Sequence, residues 1–300
     1  MVKGKRVLIT GANGFIGTHL CAYLQQNGIS VVAASHRQLD VCVKNEWAKY
    51  REQEIGHVVH LAGKTFVPAS WEQPDMFFDT NLRGTLNALE FCRAEGAGMT
   101  YLSAYVYGVP EKNPISEDSI VHPNNPYACA KYAGEELCRH YCELFSMNVT
   151  VLRPFNVYGL GQAAHFLIPL IFQQAKGSGE KIVLQDLKPK RDYVYIEDAC
   201  RAIACSVKNT KGFHVFNVGY GKSYSVEEVV NIIQKLLNTN KRVLSRHTVR
   251  KNEMDDVVAD VSKIREAWGW EPNFDLISGL RQYVGLLAGI RYPMDFDEKE

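Results

Sequence analysis

The sequence predicts an α/β fold, a Rossmann-type doubly wound parallel sheet with a smaller, interwoven α/β substrate lobe. Short apolar runs alternate with amphipathic stretches along most of the chain. That is the signature of strands buried on both faces and joined by crossover helices. A glycine turn, Gly11-Ala12-Asn13-Gly14-Phe15-Ile16-Gly17, separates the first strand from the first helix. After about Gly159 the pattern becomes less regular and mixes short strands with helices such as Val226–Leu237.

The elements follow in order. Arg6–Thr10 reads as a buried strand, and residues 17–27 as a helix stopped by Gly28. Residues 30–34, 57–62, 99–103 and 150–153 read as further strands, then 194–196 and 215–218. The helices between them include 81–95 and 127–145. No internal repeat or flexible linker interrupts the pattern. Residues 1–158 with about 191–218 are expected to form the NAD(P)-binding unit. Residues of about 159–190 with 219–300 are expected to form the lobe that takes the substrate. In such sheets ligands bind at the carboxyl ends of the strands.

Composition removes other classes. With 300 residues, 46% hydrophobic and 22% charged, the chain has ordinary globular usage and is not low-complexity. Thirty-four basic residues against 33 acidic leave a net charge of +1, which offers no footprint for nucleic acid or an anionic membrane. No apolar run approaches the roughly 18 residues of a membrane helix. The first six residues lead straight into a strand, with neither the length nor the cleavage site of a signal peptide. A cytoplasmic location is expected. The eight cysteines are scattered without a CxxC pair. Cys138 and Cys142 flank His140 at helical spacing, but they read as small buried apolar groups in a reduced chain, and no metal is expected.

The glycine turn has a physical reading. Gly11 permits a tight turn, Gly14 lets backbone approach a pyrophosphate, and Gly17 lets helix and strand pack closely. Asn13, Phe15 and Ile16 complete the turn. The helix N-terminus there offers free N–H groups and the positive end of its dipole. An acid ending the second strand would bind a ribose 2′-hydroxyl and favour NAD. Here the strand runs into Ser35-His36-Arg37, without an acid. Arg37 beside His36 matches a 2′-phosphate. Asp40 comes three residues later and is better placed, with Val41, to contact adenine. The expected cofactor is NADP, with NAD as the alternative.

Tyr127 and Lys131 stand at i and i+4, on one helix face. A phenol is a poor acid or base at neutral pH. A lysine cation and a positively charged oxidised nicotinamide both favour the phenolate, bringing its pKa toward the working range of a proton shuttle. Ser103 ends the strand at 99–103, at the carboxyl edge where a ligand sits. There it is set to hydrogen-bond the substrate oxygen that Tyr127 protonates.

With these residues the sequence resembles the extended short-chain dehydrogenase/reductase family, in its NAD-dependent epimerase/dehydratase group acting on nucleotide sugars. The resemblance covers nearly the whole chain. It rests on Gly11–Gly17, His60-Leu61-Ala62-Gly63, Asn81-Leu82-Arg83-Gly84-Thr85, and Ser103 through Gly108. It continues through Tyr127–Lys131, Arg153 through Gly159, and Arg191-Asp192-Tyr193-Val194. The resemblance implies that Ser103, Tyr127 and Lys131 are catalytic and that Leu61, Ala62 and Gly63 line the cofactor. Lys64 faces either cofactor phosphate or solvent. Pro154, Asn156 and Val157 are implied near the nicotinamide and the sugar diphosphate. Arg191 resembles an arginine that pairs with the diphosphate, and Arg250 resembles a second. Phe166 and Leu167, with Gln185, resemble the segment over the nucleotide base. The family also pairs two helices with their copies, and the apolar stripes Leu82, Leu86, Leu89 and Phe91, and Leu137, Tyr141 and Leu144, lead to the expectation of a homodimer.

The same resemblance narrows the reaction. Dehydratases of the family carry an Asp-Glu pair directly after the catalytic serine or threonine. Here Ala104 and Tyr105 stand in those substrate-side positions, and neither does carboxyl chemistry. Reduction at C4 and epimerisation at C4 remain, since both need only hydride transfer and the tyrosine shuttle. Arg37 and the stretch through Val41 resemble 4-keto-6-deoxysugar reductases. The expectation is therefore an NADP-dependent 4-ketoreductase of a nucleotide-linked 4-keto-6-deoxyhexose. The alternative is a 4-epimerase with tightly held NAD. A non-enzymatic NADP-binding sensor is disfavoured by the intact Ser103, Tyr127 and Lys131.

Overall fold

A computed structural model describes residues 5–209, 211–248 and 254–289. The chain begins β1 (Arg6–Thr10), α1 (Phe15–Gln26), β2 (Val31–Ala34), β3 (Ile55–His60), α2 (Val67–Glu72) and α3 (Pro74–Phe78). It continues through α4 (Gly84–Glu95), β4 (Gly98–Leu102), α5 (Pro126–Phe145), β5 (Val149–Pro154) and β6 (Asn156–Tyr158). Then come α6 (Leu167–Lys176), β7 (Lys181–Leu184), β8 (Lys190–Tyr195), α7 (Ile196–Asn209) and β9 (Phe213–Val218). The chain closes with β10 (Ser223–Ser225), α8 (Val226–Leu237), β11 (Arg242–Ser245), β12 (Asp256–Val257), α9 (Ser262–Trp268) and α10 (Leu276–Leu287).

Six strands form the main sheet in the order β2-β1-β3-β4-β5-β9, and every pairing is parallel. The order reverses at β1, so the crevice between the ends of β1 and β3 is the switch point where ligands bind in such sheets. Successive side chains point to opposite faces of the sheet. Val7, Ile9 and Val59 join one buried cluster with helix α7, while Leu8 and Val58 join the other with α4 and α5. Burial on both faces explains the continuous apolar runs.

Strand β9 completes the main sheet. Strand β8 leaves it, pairing instead with β6, β10 and β12 in a second sheet. Strands β7 and β11 make a third, two-stranded sheet. The smaller lobe is therefore threaded through the larger one.

Helix starts follow capping chemistry. The Asn125 side chain accepts from Ala128 N at 2.9 Å, and Pro126 follows it at the first turn of α5. Ser225 and Glu228 close a reciprocal box on α8. Several boundaries differ from expectation: β3 runs Ile55–His60, α1 starts at Phe15, β8 runs Lys190–Tyr195, and α4 starts late. The helix expected from residue 81 begins its regular part at Gly84, after a wide turn over Asp79–Arg83. The Asn81 side chain is the reason: its Oδ1 accepts from Lys64 N at 2.9 Å and its Nδ2 donates to Lys64 O at 3.0 Å. Regular winding would turn that clamp away, and such single wide turns recur at functional sites. Among the described residues no helix is long and apolar enough to cross a membrane.

Candidate active site

The glycine turn lies at the carboxyl end of β1, inside the switch-point crevice. Gly11 has φ +68°, and a Cβ there would stand 2.9 Å from Ala62 N in the segment after β3. Only glycine lets these two segments meet. A Cβ on Gly17 would press into the backbone of Gly11 and Ala12. Gly14 differs: its outer side is open, with only Gly11 O nearby at 3.2 Å. It is also exposed, as is Asn13, whereas Phe15 and Ile16 are half-buried. Helix α1 starts at Gly14 with no side-chain cap and no acid in its first turn. This is an open backbone cradle with unfilled helix-end donors, and it fits a dinucleotide pyrophosphate.

Around the cradle, Thr10 Oγ1 hydrogen-bonds His60 Nδ1 at 2.9 Å and accepts from Ala62 N at 3.2 Å. Leu61, Ala62, Gly63 and Lys64 follow, all half-buried. At the end of β2, Ser35 N and Ser35 Oγ both donate to Gln38 Oε1, which closes a tight turn. His36 and Arg37 project from that turn and are exposed. Asp40 Oδ1 accepts from Cys42 N at 3.0 Å, so one carboxylate oxygen serves its own loop. Val41 is buried against Gly84, and its carbonyl accepts from Trp47 and Asn87. His36 and Arg37 stand directly after β2, and the one acid of the stretch from Ser35 to Val41, Asp40, comes after them.

The candidate catalytic residues lie on α5 and at the end of β4. Lys131 is 3% exposed. Its Nζ donates to Leu102 O at 2.8 Å and stands 4.9 Å from the centroid of the Tyr101 ring. It also lies 3.3 Å from where a Cβ on Gly63 would be. Lys131 thus joins the catalytic helix to the cofactor side. Burial pulls its ammonium down to about 8, opposed by the Glu135 carboxylate. Tyr127 is half-buried at the start of α5, with the Phe77 ring edge-on at 6.3 Å. Burial pushes its phenol up, which favours the protonated form. The phenolate expected from the sequence rests on lysine and an oxidised nicotinamide together; within the chain itself, burial is the cause that acts on the phenol.

Ser103 follows β4 and is buried. Its hydroxyl donates to Glu135, and Arg153 grips the same carboxylate through Nε and Nη2. Sequence reasoning assigns no role to Glu135. The available signal is its spacing, one further turn from Tyr127 and Lys131 on the buried face of α5. Arg153 stands in the sequence only as part of a motif, without a role.

On the substrate side, Ala104 is buried and the Tyr105 hydroxyl donates to Gly108 O at 2.8 Å. Burial pushes the Tyr105 phenol up and nearby Arg191 pulls it down. No carboxylate occupies this position. Pro154 is buried at the end of β5 and Val157 half-buried in β6. Asn156 Nδ2 donates to Asp192 O at 3.0 Å. Arg191 Nη1 donates to Lys190 O and Met254 O, both at 2.7 Å. Phe166 precedes α6, with Leu167 half-buried beside it. The His165 ring lies 4.6 Å from Phe166 and 4.5 Å from Phe66, an aromatic clasp between the segment after β3 and the start of α6. Gln185 is exposed and stands apart, after β7, where its carbonyl accepts from Thr248 N at 3.1 Å. Arg250 lies outside the described residues. Cys138 is buried and His140 stands 3.5 Å from Glu143. Among the described residues no three His, Cys, Asp or Glu side chains gather as metal ligands.

Residues 7–219 match the NAD dependent epimerase/dehydratase family. The chain belongs to this family. It is 29% identical over 290 residues to the GDP-6-deoxy-D-mannose reductase of Pseudomonas aeruginosa, covering 92% of this chain and 95% of that one. Its fold is similar to RMD from Pseudomonas aeruginosa complexed with NADPH, with a TM-score of 0.86 at 28% identity over 94% of this chain and 98% of that chain. It is equally similar to the UDP-glucose 4-epimerase of Thermus thermophilus in complex with NAD, with a TM-score of 0.85 at 28% identity over 95% of this chain and 99% of that chain. Family membership agrees with the parallel sheet, the cradle and the Ser103, Tyr127 and Lys131 cluster.

Proposed function

We propose that the protein is an NADP-dependent reductase of a nucleotide-linked 4-keto-6-deoxyhexose. The observation that carries this reading is the end of β2. There His36 and Arg37 are exposed and an Asp40 oxygen is held by its own loop. A guanidinium at that position suits a 2′-phosphate far better than a bare ribose hydroxyl. Gly11, Asn13, Gly14, Phe15, Ile16 and Gly17 would hold the pyrophosphate, and Leu61 through Lys64 the inner face of the dinucleotide. When bound, the nicotinamide supplies a hydride for C4.

The chain's own residues supply the rest. Tyr127, kept protonated by burial, gives its proton to the forming C4 alkoxide. The Lys131 cation stabilises the phenolate left behind. Ser103 holds the reacting oxygen in register. Ala104 and Tyr105 offer no carboxyl group for chemistry at C5 or C6, which argues against dehydration. Arg191 and Arg250 are assigned to the diphosphate, and Phe166, Leu167 and Gln185 to the nucleotide base. Residues 1–158 with about 191–218 would then bind cofactor, and the remainder the nucleotide sugar.

The equal likeness to an NAD-bound epimerase supports a second reading, a 4-epimerase with retained NAD. Absorbance at 340 nm with NADPH or NADH, against 4-keto-6-deoxyhexoses linked to dTDP, GDP, CDP and UDP, separates the two. Consumption of NADPH with one of them is the expected result. No consumption, with NAD retained on the purified protein, selects the epimerase. We also propose a cytoplasmic homodimer. Leu144 is 72% exposed, Phe145 47% and Leu86 36%, on the paired helices α4 and α5, a surface that a second copy would cover. A monomer in sedimentation at micromolar concentration would refute it.

A further inference from the structure

We propose that Glu135 is a positioning residue of this site, accepting the Ser103 hydroxyl hydrogen bond and placing a buried carboxylate one turn beyond Lys131 on the face of α5 that carries Tyr127. The inference rests on the reading that Ser103, Tyr127 and Lys131 carry the proton chemistry.

The geometry is particular. Tyr127, Lys131 and Glu135 follow one another at helical spacing on α5, so they line one face over the end of β4. Glu135 is 2% exposed and Arg153 5%. Arg153 Nε reaches both carboxylate oxygens at 3.1 Å, and its Nη2 reaches Oε2 at 2.6 Å. Arg153 is held in turn. Its Nη1 donates to Tyr107 Oη at 3.0 Å, and the Tyr107 hydroxyl donates to Asn217 Oδ1 at 2.6 Å. Structural duty alone does not require the remaining bond. Ser103 donates to Glu135 from the end of β4, the strand edge where the proposed reaction centre lies.

A carboxylate only accepts hydrogen bonds, and a serine hydroxyl has one proton. While that proton is on Glu135, Ser103 meets a substrate hydroxyl as an acceptor. To hydrogen-bond a carbonyl, it must first release Glu135. The carboxylate therefore decides whether Ser103 favours the alcohol or the ketone at C4. The second effect is electrostatic. Lys131 is buried, and the Glu135 charge opposes the desolvation that would strip its proton. The other groups facing this pair are His60 on β3 and Tyr101 on β4. Tyr107 and Arg153 lie across the carboxylate. Tyr132 and Cys138 share α5 with it.

The test reads Lys131 directly. In protein carrying ¹³Cε-lysine, the Lys131 resonance is assigned by its loss in Lys131→Met and then titrated. The wild-type midpoint should fall near 8. In Glu135→Gln it should move lower by about one pH unit, and in Glu135→Asp, which keeps the charge, it should move much less. In whichever reaction the wild type catalyses, Glu135→Gln should lower kcat about tenfold or more, with KM for the cofactor little changed. Its alkaline limb should shift by the same amount. Unpaired Arg153 in Glu135→Gln threatens folding. The double variant Glu135→Gln/Arg153→Met removes both charges of the pair and should show a smaller drop in the same direction, since the unpaired guanidinium no longer adds its repulsion. An unchanged Lys131 midpoint in these variants overturns the proposal. Absence of wild-type turnover on every nucleotide sugar would instead overturn the functional reading, since the titration needs no substrate.

Discussion

The cluster proposed for catalysis, around Lys131, and the segment proposed for substrate, around Arg191, hold their polar groups in different ways. Lys131, Ser103, Glu135 and Arg153 are each no more than 5% exposed. They are locked by one another and by a strand-end carbonyl. Across the cleft, Arg191 is only partly buried and Gln185 is exposed, and Arg191 is anchored on the carbonyls of Lys190 and Met254. The first arrangement is held by the core, since parallel strands and α5 would have to move to disturb it. The second depends on segments from distant parts of the chain meeting around β8. A rigid reaction centre and an adjustable recognition surface are the physical basis for one family performing many reactions.

Substitutions break this contrast in order of size. Tyr127→Phe removes the proton donor from the rigid side. Turnover should fall about 10²–10⁴-fold while NADPH still binds; near-normal turnover would sink the proton-transfer assignment. Arg37→Ala should weaken NADPH about 10–100-fold, the worth of one or two charge-assisted hydrogen bonds, and leave NADH affinity unchanged. Equal losses with both cofactors would remove the 2′-phosphate from the argument. Raising the pH comes next. Lys131 holds its charge below about 8 and loses it above. The rate of reduction should therefore decline by up to about tenfold per pH unit on the alkaline side, and a flat profile to pH 10 would contradict the lysine's role. Arg191→Ala, on the adjustable side, should raise KM for the nucleotide sugar about fivefold with kcat nearly unchanged. A collapse of kcat at constant KM would erase the distinction between the two sides.

Much of the catalytic side was legible because it is local. Gly11, Gly14 and Gly17 stand at a strand–helix junction, where only a few geometries are open to the backbone. Tyr127 and Lys131 are four residues apart on one helix. Ser103 sits where an apolar strand ends. Asn81 was legible only as part of a motif. Its clamp on Lys64, and the wide turn that delays α4, needed two segments 17 residues apart to meet. The strand expected at 194–196 is the end of β8, which begins at Lys190 and stops at Tyr195, with Ile196 opening α7; its sheet was not readable, because local hydropathy does not reveal which edge an apolar run will pair with.

By itself, the sequence determined the alternating units, the phosphate cradle and the pairing of a phenol with an ammonium, because each is written in spacings shorter than two helical turns or in one strand–turn–helix step. Only the tertiary structure decided that Glu135 and Arg153, 18 residues apart, close beneath Ser103. It also decided that β8 leaves the main sheet to carry Arg191 toward Tyr105. Those outcomes depend on burial and strand order, and burial is what turns a charged residue from a solvated side chain into a partner that must be satisfied.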